Sequence, residues 1–223
     1  MVNFTAPAGA KILELGGGEN PSPVTTCNMD VRPGPTVQVA HDLERLPWPF
    51  EDASWDAVIA RYVLEHVGWR QVPDVLKEIN RVLNPGGKVA LVLPDTEAQI
   101  RWVQNNPEGW DSRDLFGSAG GLLFGDQDYS HNAHRSFWSP MVATKLLVDA
   151  GFIDVVVVAA GARHTDMAVE AVKAAPVELT KEFLAAAEVE AQTPITVGAT
   201  KAELAPMETT EQRQSAFDAQ YFG

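Results

Sequence analysis

The chain has 223 residues, 45% of them hydrophobic and 21% charged, which suits one main globular domain with a good-sized core. Its 17 basic against 30 acidic residues leave a net charge of −13, a field that repels phosphate backbones and anionic bilayers, so neither nucleic acid nor a membrane is an expected partner. The single cysteine, Cys27, excludes an intrachain disulfide framework and a cysteine-rich zinc cage; with no apolar run near the roughly 20 residues of a spanning helix and no signal-like start, a cytoplasmic location is expected.

Residues 10–15 (AKILEL) are a short apolar run that ends on Gly16, Gly17 and Gly18 and stops at Pro21. A strand that ends in glycines at the start of a helix brings backbone N–H groups close to a ligand, because no Cβ intervenes. A dinucleotide fingerprint needs a third glycine where Pro21 stands, which weakens a nicotinamide-dependent oxidoreductase reading. Glu14 sits just before the glycines, poorly placed for a pyrophosphate and well placed for a ligand ammonium. Asp30, where a second strand would end, suits ribose hydroxyls. Residues 36–40 and 54–61 read as two further strands.

The next segment, 71–83, carries Val72, Val75, Leu76, Ile79, Val82 and Leu83 at helical spacing. Asn84, Pro85, Gly86 and Gly87 are expected to stop that helix and turn the chain into a strand at 88–94, apolar on both faces. Residues 95–137 break the rhythm and read as a long loop or lid on the acceptor side. Ser139 as N-cap, Pro140 at the first helical position and Gly151 beyond the end then delimit a helix. Residues 153–160 and 166–174 follow as a strand pair. After Pro176 the composition shifts to Ala, Glu and Thr, so the expected organisation is a domain over 1–176 and an acidic extension, partly helical or disordered, over 177–223.

In this order and spacing, ILELGGGENP, NMDV, HDLERLPWPFEDASWDAVIARYVLEHV and EINRVLNPGGKVALVLPD resemble the class I S-adenosylmethionine-dependent methyltransferases, in the branch of methyltransferase-11-type domains. The resemblance is strong over residues 10–95 and weaker over 128–175. It implies an α/β fold: a Rossmann-like, seven-stranded, mostly parallel sheet with the last strand antiparallel and helices on both faces. It also implies S-adenosyl-L-methionine as cofactor. Glu14, Gly16 and Gly18, with Gly17 between them, would line its methionine moiety, Asp30 would hold the ribose, and Asp42 with Leu43 would flank the adenine. Arg61 and Tyr62 would face the methionine end and the sulfonium.

Methyl transfer from a sulfonium requires the protein mainly to align acceptor and methyl and to remove a proton where one is present. The segment 128–138 offers Tyr129, His131, His134 and Arg135, and His134 is the first candidate for base or acceptor-binding residue, His131 the second, Tyr129 the third. His66 reads as a packing residue. No metal is expected from His131 and His134, two loop histidines without a third ligand. Trp102, Trp110, Phe116, Phe124, Phe137 and Trp138 could wall an apolar acceptor pocket or form a second small core. Similar enzymes that act on nucleobase amines carry an Asn/Asp-Pro-Pro-aromatic signature after the fourth strand, where ARYVLEH stands here, and Cys27 lies in the wrong segment for a nucleophile. The expected function is methyl transfer to an oxygen or nitrogen of a small-molecule or sugar-like acceptor. A non-catalytic S-adenosylmethionine-binding protein is the alternative. With little before the first strand, the lid is expected from 95–137, from the tail or from a second subunit, which makes a homodimer a further expectation.

Overall fold

The computed structural model describes residues 8–106 and 119–175. The expectations for Trp110, for Phe116 and for the extension at 177–223 lie outside the described residues. In chain order the elements are β1 (Ile12–Leu15), β2 (Cys27–Asp30), β3 (Val39–Ala40), β4 (Trp55–Arg61), α1 (Val72–Val82), β5 (Leu83–Pro94), α2 (Thr96–Asn105), α3 (Ala119–Phe124), α4 (Pro140–Asp149), β6 (Phe152–Ala160) and β7 (Asp166–Lys173).

The strands form one seven-stranded sheet in the order β3-β2-β1-β4-β5-β7-β6. The first five run parallel, and β7 inserts antiparallel between β5 and β6. This is the expected sheet, and it puts the carboxyl ends of β1, β2, β4 and β5 along one edge, where open α/β sheets bind ligands.

Burial explains why the runs became strands. All four residues of β1 are buried, as are Ala57, Val58, Ile59 and Ala60 of β4, the pattern of strands covered on both faces. Helix α1 turns Val72, Val75, Leu76, Ile79 and Val82 into the core. Glu78 on the same helix is also buried, because its carboxylate accepts from the Trp48 backbone N–H at 2.6 Å and from Arg81 Nη2 at 2.6 Å. Helix α4 has the expected punctuation: the Ser139 hydroxyl accepts from the Val142 N–H, Pro140 opens the helix, and Gly151 adopts a φ of +91° after it.

Three expectations are corrected. No helix follows the glycines of 16–18, and none joins β1 to β2, β2 to β3 or β3 to β4; Pro23 falls where the second turn of such a helix would need an N–H donor. The turn at 84–87 does not precede β5 but lies within its pairing, since Leu83 already pairs with Trp55 before a register shift. Residues 95–137 are not one long loop. Asp95 accepts from the Ala98 N–H at 3.1 Å and starts α2, and α3 follows at 119–124. No helix among the described residues is long and apolar enough to cross a membrane.

Leu76 is fully buried at the centre of the main cluster, against the strands. Leu76→Ala should cost about 2–5 kcal/mol of unfolding free energy, read as a lower urea midpoint. Met141→Ala, at a 77% exposed position, should leave the midpoint unchanged.

Candidate active site

Glu14 ends up with its carboxylate fully engaged inside the protein. Oε2 accepts from the Ser22 N–H at 2.6 Å and from the Thr25 hydroxyl. Oε1 accepts from Arg61 Nε at 3.0 Å and Nη2 at 2.6 Å, and the same guanidinium reaches the Asn20 carbonyl. Glu14 therefore pins the helix-free loop after β1 to the end of β4. The sequence places Glu14 against a ligand ammonium and Arg61 at the methionine end; in the structure the two side chains pair with each other, and neither is in the wall of the cavity beside Asp30.

The glycines are bound inward too. Gly17 N–H donates to Asn28 Oδ1 at 3.0 Å and Gly18 N–H to Asp30 Oδ2 at 3.0 Å. Gly16 donates to the Met29 carbonyl at 2.8 Å, has φ +65°, and leaves no room for a side chain: a Cβ there would lie 2.4 Å from Val63 Cγ2. Of the three, Gly16 faces the cavity.

That cavity, about 230 Å³, is lined by Gly16, Asp30, Asp42, Leu43 and Tyr62 from the expected cofactor set. Asp30 is buried, with Oδ1 on the Arg32 N–H and Oδ2 on Gly18; a carboxylate has lone pairs to spare for two hydroxyls. Tyr129 and His131, expected on the acceptor side, line this cavity instead, and the Arg32 guanidinium lies 4.4 Å from the centre of the Tyr129 ring. Arg135 closes the wall by donating to Glu44 Oε2 at 2.6 Å, while Glu44 Oε1 holds the Gly68 N–H.

A second cavity of about 500 Å³ lies beside the first, with Glu65, Gln99, Gly121, His134, Arg163 and Asp166 in its wall. Tyr62, His66 and Asn132 border both cavities. Tyr62 holds a φ of +53° and donates its hydroxyl to Asp166 Oδ2 at 3.0 Å. Burial, then the neighbouring carboxylate, push the phenol pKa well above its ordinary value, so the hydroxyl keeps its proton. Burial raises Asp166 and pushes Glu65 up to about 8. His66 is held low by burial, and His134 by burial and then by His66, so both imidazoles are neutral at physiological pH. The rings stand 5.2 Å apart. Sequence reasoning placed His134 here, but it did not find Glu65, Asn132 or Asp166. Only Glu65 left a signal, as a lone acid in the apolar run YVLEHV.

Residues 20–91 match the profile of the methyltransferase-domain family. That match and the order of the seven-stranded sheet are those of the class I methyltransferase fold. S-adenosylmethionine is the cofactor of this class, and the cavity beside Asp30 fits a nucleoside: a buried carboxylate with free lone pairs, a glycine whose Cβ is excluded, and Asp42 with Leu43 alongside. Over 59 residues the chain is 43% identical to the uncharacterized protein YafE of Escherichia coli, a match that spans 25% of this chain and 28% of that protein. Two solved structures share the fold. One is an S-adenosylmethionine-dependent methyltransferase of Thermotoga maritima, described as a possible histamine N-methyltransferase, at 18% identity and TM-score 0.50, covering 74% of this chain and 82% of that one. The other is an S-adenosylmethionine-dependent methyltransferase of Methanosarcina mazei at 17% identity and TM-score 0.50, covering 75% and 93%.

Arg61→Ala strands a buried carboxylate. It should cost about 1–3 kcal/mol, below the usual figure for breaking a buried pair because the guanidinium is 41% exposed. In a Glu14→Gln background the same change should cost much less, measured by urea denaturation in a double-mutant cycle. Equal costs in both backgrounds would show that the pair does not hold the loop.

Proposed function

We propose that the domain transfers a methyl group from S-adenosylmethionine to an oxygen or nitrogen of a small-molecule acceptor held in the 500 Å³ cavity. The observation that carries this reading is the shared wall: Tyr62, His66 and Asn132 border both the nucleoside-fitting cavity and its neighbour, so the two ligands would meet there with little else between them.

When bound, S-adenosylmethionine supplies an electrophilic methyl on a sulfonium whose leaving sulfur departs neutral. The protein's own residues do the rest by position. Asp30 accepts from ribose hydroxyls, and Asp42 with Leu43 borders the base. Glu14 and Arg61 keep the glycine loop in place from behind. On the acceptor side the neutral imidazoles of His66 and His134 present lone pairs to an acceptor O–H or N–H, and Asp166 fixes the Tyr62 ring against the seam. Tyr129 and His131 act on the cofactor side of the wall.

Calorimetric titration with S-adenosylmethionine, with its demethylated product and with NAD tests the cofactor half. The first two should bind and NAD should not, with Asp30→Ala at least about tenfold weaker, the loss of roughly one charge-assisted hydrogen bond. Unchanged binding in Asp30→Ala would remove the site from this cavity. An acceptor screen with methyl-labelled cofactor tests the other half. Because a carbon methyltransferase, CurJ, shares the fold, label recovered on carbon would overturn the oxygen-or-nitrogen assignment, and tight cofactor binding with no labelled product would favour the non-catalytic alternative.

A further inference from the structure

One group of side chains in the second cavity has more capacity than proton transfer uses. Glu65, His66 and His134 bring one ligand atom each to within 4.8 Å of one another. Glu65 is 1% exposed, and its Oε2 has no hydrogen-bond partner. A buried carboxylate oxygen without a donor is costly unless something else satisfies it. His66 Nδ1 sits 3.1 Å from the Ala133 carbonyl, which leaves Nε2 as the lone pair. The backbones of Leu122 and Leu123 act on the His134 ring as well.

An imidazole whose second nitrogen is fixed by a backbone carbonyl is the usual state of a metal-binding histidine. Two imidazoles and one carboxylate form the donor set that Zn²⁺ and neighbouring divalent ions take when a coordination position stays open. A tetrahedral Zn²⁺ shell holds its ligand atoms about 3.3 Å apart, so from separations of at most 4.8 Å the three side chains need to draw in by no more than about 1.5 Å. The remaining charges around the cluster are Asp126, Asp166 and Arg163 on the cavity wall, two acids to one base, which favours a cation.

We propose that Glu65, His66 and His134 form a three-residue site for a divalent transition metal such as Zn²⁺, with its open position facing the acceptor cavity. The cation takes an acceptor oxygen or nitrogen there and fixes it at the seam by Tyr62 and Asn132. With the metal in place the imidazoles orient the acceptor through it instead of taking its proton. That role rests on the proposed methyl transfer, whereas metal binding itself does not. This site differs from the one weighed on sequence: the third ligand is Glu65, and His131 stands elsewhere.

The test uses the full chain, untagged and stripped of metal with a chelator, titrated without cofactor by Co²⁺, followed by its visible absorption, and by Zn²⁺, followed by calorimetry. One ion should bind per chain. Glu65→Gln, which removes the metal-binding carboxylate and keeps the shape, and His134→Ala should each weaken binding by about a hundredfold or more, while His164→Ala should not change it. Zn²⁺ should raise the melting temperature of the unmodified chain and not of Glu65→Gln. No saturable Co²⁺ spectrum, or equal affinity in Glu65→Gln and the unmodified chain, would overturn the site. S-adenosylmethionine titrated into the same samples separates that failure from a failure of the cofactor reading.

Discussion

Both cavities depend on one short clamp. The backbone carbonyl of Glu65 accepts from the N–H of Arg135 at 2.7 Å and of Ser136 at 3.1 Å, and the Ser136 hydroxyl reaches the Leu64 carbonyl at 3.1 Å. Trp138 Nε1 then donates to that hydroxyl at 3.0 Å, from a position that is 1% exposed. These bonds hold the turn after β4 against a segment about seventy residues later in the chain. Buried hydrogen bonds of this kind are expensive to leave unmade, so the segment carrying Tyr129, His131, Asn132 and His134 cannot leave the sheet edge without exposing unpaired groups. The wall between the cavities is therefore part of the folded core and not an appended lid.

A second constraint acts from the other side of the first cavity. A parallel sheet normally gains its ligand-binding edge from a helix that opens beneath the glycine loop. Here the loop has no helix, and its fixed geometry comes from Glu14, Arg61 and Asn28. Glu14 collects four donor contacts and Arg61 supplies two of them. Asn28 binds the Gly17 N–H and the Gly18 carbonyl. Polar side chains on β1, β2 and β4 thus replace the dipole and packing of a helix. Gly16 can face the cofactor cavity because the rest of the loop is tied down.

The strand runs and the punctuation of α4 were legible because they rest on local chemistry: apolar stretches, Ser139 before Pro140, and Gly151 where a left-handed residue is needed; the seven-stranded sheet with its antiparallel last strand came from the resemblance. Asp30 was legible because it ends a strand. The role of Glu14 was not, because its partners Ser22, Thr25 and Arg61 are decided by a loop that takes an unusual course. Helix α2 was overlooked because its buried face is short and includes Gln99 beside Val103, which leaves little apolar periodicity, although Asp95 was a readable cap. Glu65 was out of reach for another reason. Its burial is produced by the 135–136 segment packing over it, and no local pattern announces a contact of that sequence separation. Tyr129 and His131 line the cavity beside Asp30 while His134, three residues on, lines the other, a division that spacing along the chain does not reveal.

The shared residues Tyr62, His66 and Asn132 have a thermodynamic consequence. A ligand in one cavity that shifts any of them changes the affinity of the other cavity, and linkage requires the effect to be equal in both directions. A ligand in one cavity that tightens binding in the other through this wall is itself bound more tightly once the other is filled, by the same factor. Which singly loaded form is the more populated is then set by each ligand's concentration relative to its own dissociation constant, since the coupling through the wall is the same for both.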